Sequence, residues 1–286
     1  MQSPIRQLSS KEFPALLKEI PDRPAHLYIR GEMPSPNYLY LCVVGSRATT
    51  PYGRRICASI ISGLSRMPVA IISGMALGID AEAHKAALDV GLPTIAVLPS
   101  SCDDSSLYPP SNKALAQRIL ARGGTLISER AAPWKAHLHD FAARNRIMAG
   151  MSKVTLIIEA GEKSGTLITA RLALDYNREV ICVPHELGRE TGKGVNQLIR
   201  EGATLVRDAH DVAEALGLKE KVVQESFPTD LSAGEVKILQ ALTSPAYKDD
   251  LIVTAKMSAQ EVNIALSSLL IRGLVTERLG KIERAS

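Results

Sequence analysis

The sequence predicts a doubly wound α/β fold with a mostly parallel sheet, followed by a small C-terminal winged-helix domain. Short, continuously apolar runs alternate with helical stretches between residues 37 and 216. Continuous hydrophobicity is typical of strands buried on both faces, and strands that alternate with helices form right-handed βαβ units. Such units build a parallel sheet covered by helices on both sides. From about residue 230 the pattern changes to three helical stretches and a hairpin.

Residues 1–36 form an N-terminal lead-in segment that is too short to be a domain. Ser10 precedes a helical run from Lys11 to Ile20, where apolar side chains recur at helical spacing. Four prolines follow between residues 21 and 36, and we expect them to break any regular element there. We therefore expect this segment to pack against the residues that follow it.

Seven apolar runs predict the strands of a Rossmann-like domain over residues 37–216. Helices are predicted after all of them except the fourth and the sixth. The fourth run leads into a long irregular stretch that reaches residue 146, and the sixth into a glycine-containing loop that ends at Asn196. The predicted strands are YLCVVG, VAIISG, PTIAVLP, GTLIS, KVTLIIEA, EVICVP and GATLVRD, and the predicted helices end near residues 66, 90, 122, 177 and 216.

Residues 217–229 form a charged linker, and residues 230–286 form the winged-helix domain. Helices are predicted at 232–242, 249–256 and 258–272, followed by a β-hairpin that turns at Gly280. Such a domain contacts duplex DNA or serves as a protein–protein module, and the sequence leaves both open. The basic side chains available for duplex DNA are Lys256, Arg272, Arg278 and Lys281.

Composition and charge narrow the classes of function. The formal net charge is +4, which permits a nucleic-acid partner without requiring one. The four cysteines form no CxxC pair and no zinc-site spacing, so we expect buried, reduced thiols and no structural metal. We find neither a signal peptide nor an apolar stretch of the ~18 residues that span a membrane. We therefore expect a cytoplasmic protein with no membrane partner.

Ligands of open α/β sheets gather at the carboxyl ends of the strands, so the residues after each strand are the candidate site. Small residues and hydroxyl groups let backbone N–H groups approach an anion, and a guanidinium group adds a charged fork. The alternative at each turn is a purely structural role. The candidates are Gly45, Ser46 and Arg47 after the first strand, Gly74 after the second, and Ser164, Gly165 and Thr166 after the fifth.

An aromatic side chain beside basic ones makes the segment FAARNR a candidate for binding single-stranded nucleic acid. The ring of Phe141 can stack on a base, while the guanidinium groups of Arg144 and Arg146 contact phosphates on either side of Asn145. The alternative is that Phe141 belongs to the core and that the arginines pair with acids such as Glu129.

The sequence contains no legible catalytic set. Asp80 and His84 lie four residues apart on one helix face and can form a metal or acid/base pair, but we favour hydrogen bonds that pin the preceding loop. Asp103 and Asp104 fit a loop turn better than a metal site. Because no Ser-His-Asp set, HExxH motif, Walker A loop or close carboxylate pair occurs, we expect no enzyme activity, no metal and no cofactor.

Motifs that follow one another along the chain resemble the DprA/Smf DNA-processing family. They are VVGSR (43–47), SGMALGIDAEAH (73–84), TIAVLP (94–99), YPPSN (108–112), LISE (126–129), FAARNRIMAG (141–150), IIEAGEKSGTLITA (157–170) and GVNQLIREGATLV (194–206). The resemblance implies a homodimer that binds and protects incoming single-stranded DNA and loads the recombinase RecA in natural transformation. It also implies that Arg47 contacts phosphate and that Phe141, Arg144 and Asn145 lie in the DNA-binding loop.

The sequence departs from the family pattern in three places. Leu77 stands where the family usually has an arginine, which removes one expected DNA-binding charge. The segment FAARNR replaces FPxRNR, and His185 replaces the glycine of VPG. These departures indicate a divergent member.

A second class of function remains open on the same fold. Nucleotide sensors and LOG-like phosphoribohydrolases share the Rossmann-like architecture, and the enzymes carry a catalytic glutamate in a PGGxGTxxE motif. The corresponding stretch here reads EAGEKSGTLITA, with Ala170 or a threonine where the acid is needed. Hydrolysis of a small nucleotide is therefore disfavoured, and nucleotide sensing is the remaining alternative.

Overall fold

The computed structural model describes residues 3–218, 231–242, 246–278 and 280–284, and the chain divides into two compact units, Met1–Glu220 and Lys221–Ser286. Each unit is described by itself. Most of the predicted linker, from residue 219 on, lies outside the described residues. The strands of the first unit are β1 (Ile5–Gln7), β2 (Tyr28–Gly31), β3 (Leu39–Val44), β4 (Val69–Ser73), β5 (Thr94–Leu98), β6 (Thr125–Ser128), β7 (Val154–Ile157), β8 (Glu179–Cys182) and β9 (Thr204–Leu205).

In the described part of the first unit these nine strands form one sheet, in the order β1-β2-β6-β5-β4-β3-β7-β8-β9. Neighbouring strands from β6 to β9 along this order are parallel, whereas β1 and β2 are antiparallel additions at one edge. The predicted doubly wound, mostly parallel sheet is confirmed. The chain winds outward from β3 to β6, then returns to place β7 beside β3, so the direction of winding switches between these two strands.

The lead-in segment contributes strands that the sequence did not predict. We expected the prolines to break every regular element, and that expectation is wrong at β2, which pairs along its length with β6. Ile29 is fully buried, and the buried guanidinium group of Arg30 donates to Asp104 at 2.7 Å. A strand this short is stabilised by its neighbour in the sheet and leaves only a weak apolar signal.

The helices of the first unit cover both faces of the sheet, and two of them were missed. The predicted irregular stretch after β6 contains a helix of 14 residues, and the predicted loop after β8 ends in another helix. The first was missed because charged Asp140 and Arg144 occupy buried positions where an amphipathic helix carries apolar side chains. The helices are α1 (Ala15–Glu19), α2 (Pro51–Gly63), α3 (Ile79–Asp89), α4 (Lys113–Ala121), α5 (Leu138–Met151), α6 (Thr166–Asp175), α7 (Lys193–Arg200) and α8 (Ala209–Ala215).

Alternate residues of β3 pack on opposite faces of the sheet, as a strand buried on both sides requires. Cys42 and Val44 join the core beneath α1, α5 and α6, whereas Leu41 and Val43 join the core beneath α2, α3 and α8. All four side chains are buried. This double burial explains why the strand is continuously apolar in the sequence.

The second unit has the predicted winged-helix elements together with one short extra strand. Its helices are α9 (Ala233–Ala241), α10 (Lys248–Ala255) and α11 (Ala259–Ile271), and a hairpin of β11 (Val275–Arg278) and β12 (Lys281–Arg284) is extended by β10 (Ala246–Tyr247). Lys256 and Arg272 are exposed, Lys281 lies over the ring of Tyr247, and the Arg278 side chain lies outside the described part of the structure.

All four cysteines are free and buried. Burial raises the pKa of each thiol, to about 12 for Cys42, Cys57 and Cys182, which keeps these groups protonated and unreactive at neutral pH. None of the helices in the described ranges combines the length and the apolar composition needed to cross a lipid bilayer.

Glu235 at the start of α9 makes the winged-helix unit sensitive to acid. A hydrogen bond from the Ser268 hydroxyl and another from the Ser232 backbone lower its pKa from 4.5 to about 2. The carboxylate therefore stabilises the folded unit above about pH 4.5, and this contribution disappears as the pH falls through about 2. We expect Glu235→Gln to speed hydrogen exchange of the α9 amides in the full chain about tenfold at pH 7.

The matched control is Glu261→Gln at the start of α11, whose carboxylate makes the same capping contacts but is exposed. We expect a smaller effect there because water replaces the lost contacts. The difference in protection between wild type and Glu235→Gln should shrink towards zero as the pH is lowered to about 2. A difference that persists unchanged would contradict the assignment.

Candidate functional site

An open groove of about 980 Å³ lies at the carboxyl ends of β3 and β7, where the winding of the sheet switches direction. The two connections that leave a switch point run to opposite faces of the sheet, so a crevice forms between them. This crevice follows from the order of the strands and requires no particular residue. Predicted site residues from three separate segments meet in this groove. They are Gly45, Ser46 and Arg47 after β3, Phe141, Arg144 and Asn145 on α5, and Ser164, Gly165 and Thr166 before and at the start of α6.

Arg47 is the exposed cation of the turn after β3, and an aromatic ring holds it in place. Its Cζ lies 5.3 Å from the centroid of the Phe141 ring, a cation–π contact. The ring of Tyr108 approaches Phe141 at 5.4 Å with an interplanar angle of 79°. The contact with Phe141 orients the Arg47 guanidinium group, whose N–H fork suits a phosphate in the groove.

A carboxylate of the chain itself occupies the start of α2. Glu159, at the end of β7, is fully buried, and its Oε2 accepts hydrogen bonds from the Thr49 hydroxyl at 2.7 Å and the Thr50 backbone N at 3.0 Å. A Cβ at Gly53 would overlap Oε2, so only glycine fits there. Nucleotide-binding α/β folds hold a phosphate at the N-terminus of the helix that follows the first parallel strand, and in this protein that helix is α2. Here Glu159 fills that position.

Arg144 is a buried brace and not a free phosphate ligand, which corrects the prediction. Only 6% of it is exposed, and its Nη1 donates to the backbone carbonyls of Gly74 and, at 2.8 Å, of Val97. A Cβ at Gly74 would overlap the guanidinium group, so the small size of Gly74 serves Arg144 and not an approaching anion. Burial raises the pKa of nearby Asp80, and the positive charge of Arg144 opposes that rise.

Arg146 does not line the groove, and the phosphate contact that the sequence predicts for it stays a prediction. Its Nη2 donates to both carboxylate oxygens of Glu129 at 2.7 Å, and its side chain is 16% exposed. Nη2 alone meets both oxygens, so this ion pair occupies one end of the guanidinium group. The contact with Glu129 is the one that the alternative structural role names, and it favours that role for Arg146.

The start of α6 offers hydroxyl groups and backbone N–H groups to the groove. The Ser164 hydroxyl accepts a hydrogen bond from the Thr166 backbone N at 3.2 Å, which caps the helix locally. No side chain fills the space at Gly165, where a Cβ would meet no atom within 4 Å. The groove wall here is polar and sterically open, and exposed Lys163 stands beside it.

The positive and negative charges of the side chains that line the groove nearly cancel one another. Arg144 and Asp80 oppose each other at its floor, and Glu190 accepts a salt bridge from Lys193 at 2.5 Å. The remaining lining charges, for which the described residues provide no salt bridge, are Arg47, Lys163 and Glu162. Anion binding therefore falls to two exposed cations and to neutral donors, and the groove is only weakly basic.

Asp80 and His84 serve the structure, as we favoured. Asp80 accepts a hydrogen bond from the Ala76 backbone N at 3.3 Å, and the His84 Nδ1 is 2.7 Å from the Thr94 hydroxyl. Burial lowers the pKa of His84 to about 3, so the imidazole is neutral at physiological pH. Asp103 accepts hydrogen bonds from three neighbouring serines, which is the loop turn that the sequence predicted.

Sequence reasoning missed several residues that shape the site. Glu159 and Thr50 lie 109 residues apart, so no local pattern links them. Asn112 donates from Nδ2 to the carbonyls of Met75 and Ala76 at 2.8 and 3.3 Å, and so anchors the turn after β4. In the sequence, only its place in the YPPSN motif distinguishes Asn112.

Comparisons with known proteins identify relatives over most of the first unit. A sequence model of the family DNA recombination-mediator protein A matches residues 5–217. Protein Smf of Escherichia coli is 39% identical over 207 residues, which cover 72% of this chain and 55% of that protein. The chain thus spans about half the length of that relative. Protein Smf of Synechocystis is 32% identical over 313 residues, covering 94% of this chain and 77% of that protein.

Two solved structures share the fold. The X-ray structure of DNA processing protein A (DprA) from Streptococcus pneumoniae has a TM-score of 0.69 and 34% identity, covering 73% of this chain and 74% of that one. DNA processing protein A from Helicobacter pylori has a TM-score of 0.67 and 29% identity, covering 76% of this chain and 98% of that one. The structural work on the latter protein concerns its mode of binding single-stranded DNA.

The bracing role of Arg144 predicts a loss of stability on truncation. We expect Arg144→Ala to lower the free energy of unfolding, measured by urea denaturation, by about 3 kcal/mol, because it leaves two backbone carbonyls buried without their donor and removes the positive charge near buried Asp80. Arg55→Ala removes an exposed arginine from α2 and should change that free energy by less than about 0.5 kcal/mol. A loss below about 1 kcal/mol for Arg144→Ala would contradict the buried bracing contacts.

Proposed function

Because the chain belongs to the family DNA recombination-mediator protein A, also called DprA/Smf, we propose that it is a DNA-processing protein that binds single-stranded DNA in the groove between β3 and β7. The observation that carries this proposal is the meeting of Arg47, the Phe141 ring and the start of α6 along one open groove. A polynucleotide backbone needs an open track lined by anion donors, and this groove is open and lined by two exposed cations, hydroxyl groups and a helix start. The relative from Helicobacter pylori binds single-stranded DNA.

A free mononucleotide is a poorer fit to the same groove. Its phosphate would seek the N-terminus of α2, where the buried carboxylate of Glu159 repels it. The position that corresponds to the catalytic glutamate of the LOG-like enzymes carries Ala170 or a threonine, and neither side chain can replace the carboxylate. These observations support binding without turnover over nucleotide sensing and phosphoribohydrolysis.

The process and the partners that we propose are those that the family resemblance implies. We assign the protein to natural transformation and recombination, where it protects incoming single-stranded DNA and loads RecA onto it as a homodimer in the cytoplasm. Four buried, free thiols suit a reducing compartment. Two protomers would also double the weakly basic track, which compensates for the small number of cations in one groove.

Arg47 is the main phosphate ligand under this proposal. We expect Arg47→Ala to weaken binding of a labelled oligo(dT) of ~20 nucleotides about tenfold at physiological salt, which is the loss of one charge-assisted hydrogen bond. With two cations per groove, the slope of log K against log salt should be about −1.4 for wild type and about −0.7 for the variant. Fluorescence anisotropy at several salt concentrations measures both quantities.

The control for this experiment is again Arg55→Ala, which removes the same charge outside the groove. Its affinity and salt slope should equal those of wild type. If wild type binds duplex DNA as tightly as oligo(dT), or if Arg47→Ala and Arg55→Ala behave alike, the groove is not the binding site. A mononucleotide that raises the melting temperature of wild type, with no binding of oligo(dT), would favour the nucleotide sensor.

A further inference from the structure

A shallow slot adjoins the groove and shares its wall. It has a volume of about 40 Å³, and Arg47, Ala76, Phe141 and Arg144 line both the slot and the groove. The far side of the slot belongs to Tyr108 and Leu77, which do not line the groove. A nucleobase is too large to enter a space of this size, so a flat ligand would lie across the slot with one face on the protein.

The slot exposes apolar surface beside the groove. Tyr108 is 42% exposed and Leu77 is 49% exposed. The Phe141 ring already contacts the Arg47 guanidinium group and Tyr108, so its faces are partly used. Tyr108 is therefore the aromatic side chain beside the groove that is available to a ligand.

The segments that carry the two side chains are anchored before any ligand arrives. The side chain of Leu107, next to Tyr108, is buried with 3% exposure, and contact with Phe141 sets the tilt of the tyrosine ring. Asn112 ties the same segment to the backbone of Ala76, the residue before Leu77. Ordering this surface on binding would therefore require little further loss of conformational entropy.

The charge of the slot suits a nucleotide. Among the described residues, those that line the slot include Arg47 and Arg144 but no carboxylate, in contrast to the floor and rim of the groove. A phosphate on Arg47 would leave the base of the same nucleotide within reach of the slot, where an aromatic ring and a branched apolar side chain can cover its face. A base inside a duplex is stacked on both faces and offers no such surface.

We propose that Tyr108 and Leu77 form a stacking subsite for one unpaired nucleobase, next to the phosphate that Arg47 binds. This subsite rests on the proposed binding of single-stranded DNA in the groove. It gives the protein a means of distinguishing single strands from duplex that does not depend on charge.

The test separates the base from the backbone. Affinities of the full-length protein are measured by fluorescence anisotropy for oligo(dT) of ~20 nucleotides and for an oligonucleotide of equal length built of abasic residues. We expect Tyr108→Ala to weaken binding of oligo(dT) about tenfold, and binding of the abasic strand by less than about twofold. Tyr108→Phe should retain wild-type affinity because the ring remains, and the salt slope should be unchanged in both variants.

Tyr52→Ala is the matched control. Tyr52 is 40% exposed and lies edge-on to the ring of His185 at 5.2 Å, much as Tyr108 lies against Phe141, but it lines neither the slot nor the groove. Its variant should bind both strands like wild type. Leu77→Ser provides a second variant, in an exposed loop, and we expect it to weaken binding of oligo(dT) about threefold without affecting the abasic strand.

Two outcomes would overturn the subsite while leaving the groove intact: unchanged binding of oligo(dT) by Tyr108→Ala, or an equal loss on oligo(dT) and the abasic strand. In the second case Tyr108 would act on the backbone. Failure of wild type to bind oligo(dT) at all would overturn the proposed function, and the subsite with it. The wild-type titration is therefore read before those of the variants.

Discussion

The rest of this site depends on hydrogen bonds between buried charged side chains and the polar groups at the carboxyl edge of the sheet. The strands of a parallel sheet end together and leave backbone groups that need partners if they are not to face water. Arg144 bonds to the carbonyls after β4 and within β5, and Glu159 receives the amide and hydroxyl groups that begin α2. Removing either would leave polar groups buried and unpaired, which is far more destabilising than losing a surface contact.

These hydrogen bonds within the protein limit which ligands the groove can bind. Because Glu159 takes the phosphate position of a nucleotide-binding fold, the anion site that we propose lies further out, at Arg47 and the start of α6. Because Arg144 and Asp80 oppose each other beneath the groove, few net charges remain along it. The groove therefore favours a long ligand with many weak contacts over a small one with a few strong contacts.

Aromatic contacts at the rim add a second kind of recognition. Phe141 holds Arg47 by a cation–π contact, and Tyr108 packs against Phe141 from the other side of the turn after β4. Arg47, the proposed phosphate ligand, and the side chains that can cover a base thus belong to one packed cluster. Binding of the backbone and binding of the base would take place side by side in this cluster, each with its own energetic origin: charge for the first, apolar contact for the second.

The sequence alone determined the doubly wound sheet, the winged-helix elements and the edge of the sheet where the site lies, because buried strands and amphipathic helices leave periodic signals and a switch point follows from topology. It also named Arg47 and Phe141, which meet in the groove. Only the tertiary structure decided the roles of Arg144, Arg146 and Glu159. Their partners, Gly74, Glu129 and Thr50, lie 70, 17 and 109 residues away, and the pairing of a charged side chain depends on which distant segments fold beside it.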